Sequence, residues 1–323
     1  MFKFINKRIA FQWFLLAALF GFSVYTIITK TKMPNEAGAA FLFQNFTFFF
    51  NNHVVLGKGV IISILLIQII LIQLHFKKNE YTAKKTLFPA CFYLSILLLT
   101  KSLHLISPLF FTLLFFLIII SIDYNVNAIR LKNSTLIVGM LIATATCFDI
   151  SSIVLLFLSI IVLIINHFSK IKEIGILVFG FVLIYFYFFS YYFLFSDFQA
   201  WWATFKELKI LGILGEKFLE YHYAIPSLIG LCIIYSYFIL RTKLINDSKV
   251  VVQRKRMVTF NLCATLLIFC IFISHSAYPH GLGYLFVPIS VYLAILSQEK
   301  NPFYVNELIT IITFVALYGC FKI

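Results

Sequence analysis

The sequence predicts an all-α, polytopic membrane protein of about eleven helical spans, with its N-terminus in the cytoplasm. Three observations carry that expectation. Of 323 residues, 62% are hydrophobic and 12% are charged, whereas a soluble domain is about half apolar and a quarter charged. The apolar residues gather into long runs, as membrane-crossing helices require. The basic residues crowd into alternate loops between those runs, which is how a membrane protein sets its orientation. A chain with 40 Phe and 17 Tyr would expose large apolar patches in water, and it suits a hydrocarbon solvent instead. The length fits one integral membrane domain over 1–323, with no polar stretch long enough for a second, soluble one.

The first run, 9–28, follows Lys3, Lys7 and Arg8. A charged start before an apolar stretch is also how a signal peptide begins. This run is too long for a signal core and no clean Ala-x-Ala-like cleavage site follows it, so an uncleaved first span is expected. The later runs are 55–75, 86–103, 105–122, 134–148, 151–167, 174–195, 224–240, 258–274, 282–297 and 305–319. About 20 residues cross the hydrocarbon, and several of these runs are shorter. Such helices stand upright, thin the bilayer, or fail to cross fully. The pair 134–148 and 151–167 surrounds Asp149 and forms either a full hairpin or a re-entrant one. Residues 39–50 are apolar but too short to span, and are expected to lie in the interface or dip into the membrane.

With eleven spans and a cytoplasmic N-terminus, 18 of the 26 basic residues fall on the cytoplasmic side. The bias holds loop by loop, which accounts for the net charge of +14 without a nucleic-acid partner. The longest outer loop, 196–223, repeats Trp201, Phe205, Leu208 and Leu211 at spacings of four, three and three. That spacing describes an amphipathic helix on the outer surface, anchored by Trp201 and Trp202. The longest inner loop, 241–257, carries six basic residues that face anionic headgroups or simply fix topology.

Small residues mark candidate helix contacts. Gly139, Ala143 and Cys147 recur every fourth residue, Gly175 and Gly180 share one run, and Asn261 and Thr265 stand on another. The six cysteines form no Cys-x-x-Cys pair and lie inside or at the ends of apolar runs, where they act as small apolar side chains.

Ionisable groups near a membrane are costly, which makes them candidates for chemistry. On the expected topology they cluster at the outer side. Asp149, His275 and His280 are the acid/base candidates, and Lys101, His104, Trp201 and Trp202 are the substrate-binding ones. His275 and His280 flank a turn stiffened by Pro279 and Gly281. Glu36, His53 and His222 fall on the same side. The competing reading is that each is an ordinary residue of a short, wet turn. No metal centre is expected, because the seven histidines are scattered and no His-x-x-x-His pair occurs. The sequence does not disclose a cofactor: it has no phosphate-binding loop, dinucleotide fingerprint or nucleophile elbow.

Two stretches carry a resemblance. One is SLHLISPLFFTLLFFLIIISIDY, in which Pro108 opens a Phe/Leu-rich span. The other is FDISSIVLLFLSIIVLIINHFSKIKEIGILVFGFVLIYFYFFSYYFLF, a short hairpin, a basic turn and a Gly-containing aromatic span. Their order resembles an uncharacterised family of bacterial multi-pass inner-membrane proteins, over roughly residues 55–195. The resemblance implies an inner-membrane location and no particular activity. Three functions are open at this point. The first is envelope biogenesis on a lipid-linked or glycan substrate. The second is a transporter or permease-like subunit, for which Lys58, Asn261 and Thr265 are the hints of a polar path. The third is a non-catalytic subunit that works through its helix faces. Expected partners are membrane lipids and other membrane subunits.

Overall fold

A computed structural model describes residues 9–30, 48–49, 52–78, 86–99, 103, 132–148, 153–165, 171–195, 283–298 and 311. Seven helices account for almost all of them. They are α1 (Ile9–Lys30), α2 (Val54–Lys78), α3 (Phe88–Leu99), α4 (Lys132–Phe148), α5 (Val154–Ile165), α6 (Ile171–Phe195) and α7 (Gly283–Gln298). Each coincides with one of the expected apolar runs. The runs 105–122, 224–240 and 258–274 lie outside the described residues, as does all of 305–319 except Ile311.

Among the described residues, three helices are long and apolar enough to cross a membrane: Ile9–Thr29, Val54–Lys77 and Ile171–Leu194. At 1.5 Å per residue, each of these stretches covers about 30 Å or more, the thickness of the hydrocarbon layer. The apolar helix α3 has 12 residues and reaches only about 18 Å.

Helix α3 is the hub of one group. Its residues Phe88–Leu94, Ile96 and Leu97 are buried, and it packs against α1, α2 and α7. Among α1, α2 and α3, successive helices run in opposite directions, as two sets of hydrogen bonds establish. At one end, Gln12 near the start of α1 accepts from the backbone N–H of Leu87, just before α3. At the other, Lys58 near the start of α2 donates to the carbonyl of Ile28, near the end of α1, at 2.6 Å. That carbonyl belongs to the last turn of α1 and has no partner within its helix. An ammonium there also complements the negative end of the helix dipole. Lys58 therefore serves as a cap between adjacent helix ends, which accounts for it without a polar transport path.

Helices α4 and α6 form the second close contact, and here the reading from small residues is specific. A Cβ built on Gly139 would stand 2.1 Å from the carbonyl oxygen of Leu177, and one on Gly180 would stand 2.5 Å from that of Leu136. The two backbones touch because neither glycine has a side chain to hold them apart. Further along, the Tyr185 hydroxyl donates to Thr146 Oγ1 at 2.8 Å. Residues 136 and 146 thus meet 180 and 185 in the same order, so α4 and α6 run parallel. Both therefore begin at the same end of the pair, and in the sequence a basic pair, Arg130/Lys132 or Lys170/Lys172, stands at the start of each. Ala143 is buried in this group. Gly175 differs from the sequence-based expectation: a Cβ there would meet nothing within 4 Å. It lies five residues before Gly180, on the open side of α6.

The hydroxyls inside these helices mostly turn back on their own backbone. Ser23 donates to the Leu19 carbonyl, Thr26 to Ser23, Ser95 to Cys91 and Ser159 to Leu155. Such bonds satisfy a polar group where water is not available. The outward faces are apolar. On α6 they include Phe179, Phe186, Tyr187, Phe189, Tyr191 and Phe193, each at least 41% exposed. A surface of that kind is stable against lipid and unstable in water.

Candidate functional site

The densest group of interior polar residues in the described structure lies where α1, α2 and α3 meet. It is built around Thr86, which precedes α3. A helix leaves its first backbone N–H groups without internal partners, and this helix end is buried: Thr86 and Phe88 are at most 4% exposed. Thr86 Oγ1 accepts from the N–H of Phe88 at 3.3 Å, the geometry of an N-cap. Gln12 Oε1 accepts from the N–H of Leu87 at 2.9 Å and from Thr86 Oγ1 at 3.3 Å. The next residue, Pro89, has no N–H to satisfy. Gln73 Nε2 of α2 donates to the Thr86 carbonyl, while Gln73 Oε1 is buried with no hydrogen-bond partner.

Deeper in the same group, the Tyr93 hydroxyl donates to Gln68 Oε1 at 2.8 Å, and both residues are fully buried. His75 is also buried, at 3% exposure. Gln68, Gln73 and His75 all belong to α2, which carries its polar positions into the contacts with α1 and α3. Among the described residues the seam contains no carboxylate; its imidazole is His75, Tyr93 brings a phenol, and the buried Cys91 thiol lies 4.0 Å from the Gln12 carbonyl oxygen. Its chemistry is that of amides and hydroxyls: it can hold helices together and accept or donate hydrogen bonds.

The residues selected from sequence as catalytic or binding candidates lie elsewhere. Asp149, His275, His280, Lys101, His104, Trp201 and Trp202 are all outside the described residues. So are Glu36, His222, the surface segment 196–223 and the basic loop 241–257. Of the outer-side group, His53 is described. It precedes α2, where its ring lies 5.0 Å from that of Phe49. Among the described residues no three His, Cys, Asp or Glu side chains stand together as a metal site.

Sequence reasoning did not single out Gln12, Gln68, Gln73, His75, Thr86 or Tyr93. A signal for four of them was present. Gln12, Gln68, Gln73 and His75 interrupt otherwise apolar runs, and a polar side chain within a span usually faces protein rather than lipid. In comparisons with known proteins, the chain matches no family model, no curated protein and no solved structure.

Proposed function

We propose that this chain is an integral component of a bacterial inner membrane, acting in envelope biogenesis on a lipid-linked or glycan substrate. In this reading the described helices are a scaffold, and substrate is handled at the outer turns bearing Asp149, His275 and His280. Lys101, His104, Trp201 and Trp202 bind it there. The observation that carries the scaffold half of the reading is the character of the interior. The buried polar residues of the described helices are Gln, Ser, Thr and one His, with no Asp, Glu, Lys or Arg among them. A transport path for ions or charged solutes is normally marked by ionisable groups inside the span. Here Gln12, Thr86, Gln68 and Tyr93 are engaged in contacts between helices. The same observation favours a second reading, a non-catalytic subunit whose exposed α6 face packs against another membrane protein.

The two readings separate in a deletion strain with a measurable envelope phenotype. The double variant His275→Ala/His280→Ala is expected to accumulate normally and fail to complement. An imidazole near its neutral-pH titration can act as acid, base or anion ligand, and alanine can do none of these. Full complementation at normal protein level removes the histidines from the mechanism and leaves the subunit reading.

A further inference from the structure

The contacts between α4 and α6 fix how far α4 reaches along its neighbour. Gly139 meets Leu177 and Phe181, and Gly180 meets Leu136. This crossing lies about eight residues along α6, roughly 12 Å from its start at Ile171. Helix α4 runs on from Gly139 to Phe148 in the same direction, a further rise of about 14 Å. Its end therefore stands roughly 25 Å beyond the start of α6. The Tyr185 hydroxyl on Thr146 Oγ1 gives the same register independently, since Tyr185 is about 21 Å along α6. The exposed side chains of α6 agree. Lys172 is exposed near its start. Phe179 and Val182, exposed beside the crossing, are apolar. Tyr187 and Tyr191 are 62% and 56% exposed. They stand about 24 and 30 Å along the helix, at the level where a phenol is most stable, between headgroups and chains.

We infer that α4 crosses the whole bilayer beside α6 and carries its C-terminal end, Thr146 to Phe148, into the outer headgroup layer. This placement rests on the membrane reading above, in which α6 crosses, and it excludes the re-entrant arrangement that the sequence leaves open. A re-entrant helix turns back near the middle of the hydrocarbon layer, roughly 15 Å from where it entered. The end of α4 lies about 10 Å past that depth, more than a modest tilt between the helices removes. The residue that follows α4 in the sequence is Asp149, the acid/base candidate of the proposed chemistry. At the outer headgroup layer, water and a lipid headgroup reach this point of the chain. At the bilayer centre a carboxylate is costly and cut off from both.

The test is the reaction of single cysteines with a membrane-impermeant maleimide in spheroplasts. Each full-length variant keeps one cysteine, with the others replaced by alanine. Lys172→Cys and Leu194→Cys, at exposed positions near the two ends of α6, set the reference. The first is expected to react only after permeabilisation and the second before it. The end of α4 is read with the native Cys147 alone, with Phe148→Cys and with Asp149→Cys. At least one of these three is expected to react before permeabilisation, as Leu194→Cys does. Reaction of the three only after permeabilisation, or of none of them, overturns the full crossing of α4 and leaves the membrane reading intact. Any other pattern at Lys172→Cys and Leu194→Cys overturns the crossing of α6, and the full crossing of α4 with it.

Discussion

Gly139→Ala is expected to separate α4 from α6. The added methyl would stand 2.1 Å from the Leu177 carbonyl oxygen and 3.0 Å from the Phe181 nitrogen. Both are backbone atoms, so no side-chain rotation relieves the clash. The helices must move apart by roughly 1 Å, since C···O contacts settle near 3.3 Å or beyond. Overpacking of this kind costs about 1–3 kcal/mol, and the separation also stretches the Tyr185–Thr146 hydrogen bond. Gly180→Ala, with its Cβ 2.5 Å from the Leu136 carbonyl, is expected to act in the same direction. Gly175→Ala meets nothing and is expected to be neutral or slightly stabilising, because alanine favours a helix by up to about 1 kcal/mol over glycine. The thermal midpoint of aggregation in mild detergent measures all three. The expected order places Gly139→Ala lowest and Gly175→Ala at or above the parent. Equal midpoints for Gly139→Ala and Gly175→Ala would remove the glycine contact from the account.

Gln12→Leu is expected to loosen α1 from α3. Leucine keeps most of the volume and removes the acceptor, so the buried N–H of Leu87 is left without its partner at 2.9 Å. An orphaned buried donor costs about 1–3 kcal/mol. Thr86→Ala removes the cap on Phe88 and one donor to Gln12, for a loss of about 1 kcal/mol. Ser23→Ala provides the contrast. Ser23 is equally buried, but its hydroxyl bonds only to the Leu19 carbonyl of its own helix. Removing it leaves no N–H orphaned. The same detergent midpoint should fall most for Gln12→Leu and least for Ser23→Ala. A midpoint unchanged by Gln12→Leu contradicts the capping role.

The sequence made the helices themselves easy to place, because long apolar runs admit one backbone solution in lipid. The runs 9–28 and 174–195 match α1 and α6 to within a few residues. Ends were read less well where they depend on partners. The 86–103 run becomes α3 from Phe88, and Thr86 acquires its importance through a Gln 74 residues earlier. No local pattern reveals such a pairing. Gly139 and Gly180 were legible as small residues but not as each other's neighbours, and spacing alone could not distinguish Gly180 from Gly175. Asp149, His275 and His280 were chosen by chemistry and side of the membrane. Both criteria work residue by residue and contain no information about which turns converge.

The central claim is a polytopic membrane protein with a cytoplasmic N-terminus and alternating spans. Reporter fusions along the chain test it most directly. Fusions at Lys78, Lys172 and Arg254 are expected to read cytoplasmic, and fusions at Lys206 and His280 external. The Lys78 fusion also tests the reversal between α1 and α2, and the Lys172 fusion the side from which α6 starts. A cytoplasmic readout at Lys206, following a cytoplasmic one at Lys172, would mean that α6 does not cross the membrane and would contradict the account.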